Sequence, residues 1–331
     1  IFFIFHKLSI LKRNEIYMTN SNPKNIPLLE YLKPKNWIIL IILGFARLIL
    51  LLPFRLVLLI GHLIGLLLFS IPSKRSNIAK KNIELCFPEL SESEQNTLLK
   101  QHFISLGIGF IEVGMVRWKS NSSLKNIVKI EGLKYLQEAL KKDKGIVLMS
   151  AHFTLLEISA LIGRQGFVEN LPPMIGMYRL GSNPFINRFF RNARLRSVES
   201  LITKFEVKDM IHALKEKKIV WYASDQSFSG KNSIDINFFG QNAQTNSAIC
   251  RFIDITDCSV LPYFPKRLAN GEGYELTIYP EIKSSESKNP KEYLEQLYQV
   301  LEGHIMDHPE QYYWVHRRFK NDDKTKDPYQ S

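Results

Sequence analysis

The longest apolar run extends from Trp37 to Ile71, WIILIILGFARLILLLPFRLVLLIGHLIGLLLFSI, and only Arg47, Arg55 and His62 interrupt it with ionisable groups. A bilayer-spanning helix needs about 20 apolar residues, so the run predicts a membrane-anchoring helical segment. Pro53 lies near its middle and predicts a kink or break. The segment is then either one tilted span with an interfacial piece or two short membrane-dipping helices; a helical hairpin of a soluble protein is the alternative. At about 100° per residue, Arg47, Arg55 and His62 share one sector of a helix, which favours helices partly in the membrane interface or packed on the protein body. Bases flank the run on both sides (Lys33, Lys35, Lys74, Arg75), so charge gives no orientation.

Beyond residue 72 the pattern changes. Ser91 and Glu94 form a capping box, and helical periodicity follows to about Trp118. Strands and helices then alternate: a strand at 127–132, a helix at 133–144, a continuously apolar strand at 145–152 and a strand at 173–179. Helices near 183–195 and 207–217, a strand at 219–226, a helix near 244–254 and strands at 258–264 and 274–282 complete the series. This predicts an α/β fold with a central, mostly parallel sheet flanked by helices, carrying an N-terminal apolar membrane-anchoring helical segment. The division is an N-terminal segment at 1–36, a membrane anchor at 37–71, one catalytic domain at 72–320 and a frayed polar tail at 321–331. Residues 1–17 precede the first methionine, Met18, and are set apart as either upstream translation or native chain.

Of 331 residues, 45% are hydrophobic and 23% charged, which excludes a disordered chain. Cys86, Cys250 and Cys258 have neither disulfide nor zinc spacing, and the chain calls for no metal. The formal charge of +12 points to an anionic partner. Nucleic acid is disfavoured: no helix-turn-helix, aromatic sheet motif or zinc finger is visible, and the bases form no single stripe.

The candidate chemistry begins at SAHFTLLE, where a buried strand ends at His152. On one continuous helix His152 and Glu157 would lie about 140° apart and not meet. With His152 in the turn and Glu157 one turn into the next helix, the carboxylate reaches back and orients an imidazole base. The free N–H groups of that helix would face an anion. Arg179 and Asn183 follow a predicted strand and suit phosphate or carbonyl binding; a surface salt bridge is the plain alternative for Arg179. Asp225 and Gln226 end another strand at the same edge and suit hydrogen bonding to a reactant, or capping of a turn. Phe238 and Phe239 read as plain core or as the wall of an apolar slot. Trp314, His316, Arg317 and Arg318 form a late basic and aromatic cluster suited to an anion, or a charged strand edge. Arg188, Arg191, Arg194 and Arg196 recur on a basic helical face suited to anionic headgroups, an acidic protein or plain solvent.

Five segments in order, NIELCFPELSESE (82–94), GIVLMSAHFTLLE (145–157), YRLGSNPFINRFFRNARLR (178–196), SDQSFSGKNSIDINFFGQNAQT (224–245) and PEQYYWVHRRFK (309–320), resemble the bacterial lipid A late acyltransferases. Those are the lauroyl and myristoyl transferases of lipopolysaccharide biosynthesis, within the wider His-x4-Asp/Glu acyltransferase group. The resemblance covers roughly residues 27–320. It implies an acyltransferase domain at 72–320 that moves a fatty acyl chain from an acyl carrier protein thioester to a hydroxyl of a Kdo-bearing lipid A precursor. It further implies His152 as general base with Glu157, substrate contacts at Arg179, Asn183, Asp225, Gln226, Arg317 and Arg318, and no cofactor. The implied location is the bacterial inner membrane, among its lipids, with the catalytic domain facing the cytoplasm. A glycerophospholipid or glycolipid O-acyltransferase of the wider group, and a non-enzymatic basic membrane-bound protein, are the alternatives.

Overall fold

The computed structural model describes residue 31 and residues 33–178, 183–203, 206–284 and 287–330 apart from 288, 322, 324 and 326. Pro53 divides the N-terminal apolar run into two 16-residue helices, α1 (Pro34–Ile49) and α2 (Phe54–Phe69). Helix α3 (Lys74–Cys86) follows at a sharp bend, its first turn capped by the Ser73 hydroxyl accepting from Ser76 N–H. Among the described residues no single helix is long and apolar enough to cross a membrane. The expected span is therefore not there as one element; α2 and α3 meet the length and composition only as a pair bent by 95°.

Helix α4 (Glu92–Trp118) starts at the capping box read from the sequence, with both reciprocal bonds of Ser91 and Glu94 made. It carries α2 on a glycine seam. A Cβ on Gly65 would lie 2.4 Å from Ile104 Cα, and one on Gly107 would lie 2.3 Å from the Gly61 carbonyl oxygen. Only glycine permits this approach. The outer faces stay uncovered: Ile38, Ile41, Phe45 and Leu48 on α1, and Leu56, Leu59, Leu63 and Leu67 on α2, are exposed.

After the short α5 (Asn121–Lys125) come β1 (Val128–Glu131), α6 (Leu133–Leu140), β2 (Ile146–Ser150), α7 (Leu156–Ser159) and β3 (Met174–Met177). Next are α8 (Pro184–Arg194), β4 (Ser200–Ile202), α9 (Val207–Lys215) and β5 (Ile219–Ala223). A hairpin of β6 (Ser233–Phe238) and β7 (Gln241–Asn246) leads to α10 (Ala248–Thr256), β8 (Ser259–Arg267), β9 (Tyr274–Ile278) and α11 (Pro290–Asp307). Seven strands form one sheet in the order β1-β9-β8-β2-β5-β3-β4. Its neighbours run parallel except β8 and β9. The expected mixed α/β architecture is thus present. Every residue of β2 is buried, which explains its unbroken apolar run.

Two expectations need correction, and one open pair of readings is resolved. The helix placed at 244–254 begins at Ala248, because residues 241–246 pair with β6. Phe238 is fully buried core, and Phe239 and Gly240 make the two-residue hairpin loop, both at positive φ (51° and 71°). The tail does not fray as a whole: the Tyr329 hydroxyl accepts from Phe319 N–H at 3.1 Å and donates to Asn82 Oδ1 on α3.

Candidate active site

Parallel strands β2 and β5 stand in register, with Ser150 beside Ala223 at their C-terminal ends. Two residues beyond each, the chain presents His152 and Asp225. The register alone sets these side chains next to one another at the edge where such sheets hold ligands. His152 Nδ1 lies 2.6 Å from Asp225 Oδ1. Asp225 is 3% exposed, while a quarter of the His152 side chain is reachable. Asp225 Oδ2 accepts a second bond from the Tyr312 hydroxyl at 3.0 Å.

Burial alone would raise the Asp225 carboxyl, but His152 and the Tyr312 hydroxyl bring it down to about 2. As a carboxylate it only accepts hydrogen bonds, so Nδ1 of His152 carries the hydrogen. In the neutral imidazole, Nε2, which has no hydrogen-bond partner among the described residues, then holds the lone pair. The arrangement is a base with a buried orienter.

The expected partner of His152 is engaged elsewhere. Glu157 is buried, and Arg194 at the end of α8 grips it: Nε lies 3.1 and 3.0 Å from the two oxygens and Nη2 2.5 Å from Oε1. A buried carboxylate gains more from a forked guanidinium than from one imidazole N–H. Burial alone would lower the Arg194 guanidinium; beside Glu157 it is held above its usual value. The pair ties the turn after His152 to α8 and leaves the imidazole to Asp225. The helix expected after His152 is the four-residue α7 followed by a 3-10 turn, too short to present an N-terminal anion site.

A strand-like segment backs the His152 turn. Tyr313 N–H donates to His152 O at 3.0 Å and Thr154 N–H to Gln311 O at 2.8 Å. The Gln311 side chain bonds both the N–H and the carbonyl of Arg267. Arg267 in turn forks onto buried Glu112 at 2.7 and 2.8 Å and donates to Ser105, whose hydroxyl lies 2.6 Å from that of Thr154. Gly109 makes the approach of α4 possible, since a Cβ there would stand 2.1 Å from the Thr154 carbonyl oxygen. His316 Nε2 accepts from Ser227 N–H at 3.3 Å. Burial pushes its pKa down to about 4 against the pull of Asp225, so it is neutral at pH 7.

Of the remaining expected residues, Asn183 caps α8, its Oδ1 accepting from Phe185 and Ile186 N–H. Arg318 is buried: it donates to Gln244 O and Thr245 Oγ1 and lies over the Phe238 and Tyr298 rings. It holds the hairpin to α11 instead of facing a ligand. Arg317 is exposed over the Tyr329 ring, and Gln226 is half-buried. Trp314 is buried, its indole N–H donating to Pro309 O. Arg179 lies outside the described residues. Tyr312 is a site residue for which spacing gave no role, and Arg194, expected only on a basic helical face, is instead drawn into the site by its grip on Glu157.

Comparison with known proteins bears on this site. The bacterial lipid A biosynthesis acyltransferase family matches residues 27–321. A lipid A biosynthesis acyltransferase of Haemophilus influenzae is 33% identical over 302 residues, 89% of this chain and 95% of its own length. The Escherichia coli lipid A biosynthesis lauroyltransferase is 31% identical, covering 87% of this chain and 93% of its own. The palmitoleoyltransferase of the same organism is 30% identical, with 88% and 94% covered.

Proposed function

Because the chain belongs to the bacterial lipid A biosynthesis acyltransferase family, an O-acyltransferase family, we propose that it moves a fatty acyl chain from an acyl carrier protein thioester to a hydroxyl of a lipid A precursor, with His152 as general base and Asp225 as its orienter. The observation that carries the mechanism is the 2.6 Å bond between His152 Nδ1 and buried Asp225, with Nε2 left open.

Nε2 takes the proton of the acceptor hydroxyl as its oxygen attacks the thioester carbonyl carbon. Asp225 steadies the imidazolium that forms, and the Tyr312 hydroxyl fixes the carboxylate. The carbon–sulfur bond then breaks, and the imidazolium returns the proton to the leaving thiolate. A new ester and a free carrier thiol result, and the imidazole is neutral again. Glu157 and Arg194 shape the turn that holds His152 in place.

The exposed apolar faces of α1 and α2 support a place at the bilayer surface, with both helices partly immersed and the catalytic domain on the cytoplasmic side of the inner membrane. The test is an incubation of purified protein with a tetra-acylated Kdo-bearing acceptor and carrier proteins loaded with chains of several lengths, read by mass spectrometry. One added acyl group on the acceptor is expected. Transfer to a lysoglycerophospholipid in its place, with the disaccharide acceptor unchanged, would move the protein to the wider acyltransferase group.

A further inference from the structure

At the end of the molecule where α1, α4 and α8 meet, four arginines converge. Leu50, which closes α1, packs on Gly114 of α4: a Cβ on Gly114 would lie 3.0 Å from Leu50 Cδ1. Arg47 lies one turn before Leu50 and Arg117 one turn after Gly114, and the two guanidiniums are close enough to act on each other. The rings of Trp118 and Phe189, 5.0 Å apart, bring the α8 residue Arg188 to the same end of α4. Arg196, just beyond α8, donates from Nη1 to the Arg117 carbonyl oxygen at 2.6 Å.

Among the described residues none of the four has a carboxylate within ion-pair distance, whereas Arg194, two residues before Arg196, grips Glu157. Burial first, then Arg196, Arg47 and Arg188, lower the Arg117 guanidinium from its usual value, as a crowd of like charges must. An anion relieves that repulsion, and guanidinium forks match the oxygens of a phosphate. The group also borders the exposed Phe45 and Leu48 of α1. With that face immersed, the guanidiniums stand at the depth of lipid headgroups.

We propose that Arg47, Arg117, Arg188 and Arg196 form a binding site for a phosphate carried by a lipid headgroup. This deepens the membrane placement given above and rests on it.

Flotation of the full chain with vesicles separates the two claims. Phosphatidylcholine vesicles test the apolar face, and vesicles with about a quarter phosphatidylglycerol add the phosphate-borne charge. The wild type is expected to float with both, and more strongly with the anionic ones. The triple variant Arg47→Gln, Arg188→Gln, Arg196→Gln is expected to keep its binding to phosphatidylcholine, with a modest drop in melting temperature as the bonds of Arg196 to the Arg117 carbonyl and of Arg188 to the Tyr31 hydroxyl are lost. It should lose most of the anionic increment, on the order of a hundredfold at low salt. Arg47→Gln alone, at an exposed position whose side chain makes no hydrogen bond among the described residues, should lose several-fold and guards against a folding artefact. Inorganic phosphate at constant ionic strength should leave the wild-type increment unchanged; if it abolishes the increment, the site takes free phosphate and the lipid assignment fails. A full increment in the triple variant overturns the site. If that variant instead raises the KM for carrier-bound donor while vesicle binding is intact, the surface serves an acidic protein. Absence of wild-type binding to both vesicles would refute the membrane placement itself.

Discussion

Asp225 holds the position in this chain that spacing alone assigns to Glu157, and the two carboxylates make opposite predictions. Asp225→Asn removes the negative charge that steadies the imidazolium and replaces an acceptor-only carboxylate with an amide that can also donate toward Nδ1, so kcat should fall about 10²- to 10⁴-fold with little change in melting temperature. Glu157→Gln strips the charge from a buried ion pair and leaves Arg194 uncompensated. The expected loss is about 2–4 kcal/mol in denaturant unfolding, with turnover per folded molecule reduced less than in Asp225→Asn. The reverse ranking would restore Glu157 as the orienter. His152 was legible because a strand of unbroken apolar residues ends on a histidine. Its partner was not, since Asp225 is 73 residues away and joins it only through the β2–β5 register. Tyr312 was hidden for the same reason, and Arg194, legible only as one of four bases on a helical face, carried no local sign of its pairing with Glu157.

At the level of elements, backbone contact between helices decides how well the site is held. Gly107→Ala forces a Cβ to within 2.3 Å of the α2 backbone and should cost about 1–3 kcal/mol in thermal or denaturant unfolding. Gly109→Ala meets the Thr154 carbonyl instead, in the turn that carries His152. It should lower kcat at least tenfold for a comparable stability loss, whereas Gly107→Ala should leave kcat per folded molecule near wild type. Equal kinetic effects would separate the α4 contact from catalysis. The main strands and α4 could be read from periodicity and the capping box. The β6–β7 hairpin could not, because QNAQTN has no apolar alternation to mark a strand. Helix α11 carried a usable signal: Asn289 caps it, Pro290 opens it, and Tyr293, Leu294, Leu297, Tyr298 and Leu301 line one buried face.

For the whole molecule, acid should loosen the fold in two stages. Burial holds His102, His304 and His316 at about 4, below the ordinary 6.5. These groups bind protons more readily when unfolded, so the stability linked to them is full above pH 6.5 and is lost as pH falls toward 4. Asp225 then follows, its contribution full above the ordinary 3.8 and lost as pH approaches about 2. Melting temperature against pH should decline from about 6.5 downward, and His304→Gln should flatten the upper stage; a profile level to pH 4 would show that these histidines are not buried neutral. The central claim is tested most directly by single-turnover acyl transfer from carrier protein thioester to the lipid A precursor, comparing wild type with His152→Ala and Asp225→Asn, each verified as folded. The geometry predicts that His152→Ala abolishes ester formation and Asp225→Asn slows it by orders of magnitude with donor binding retained. Transfer at the wild-type rate by either variant would contradict it.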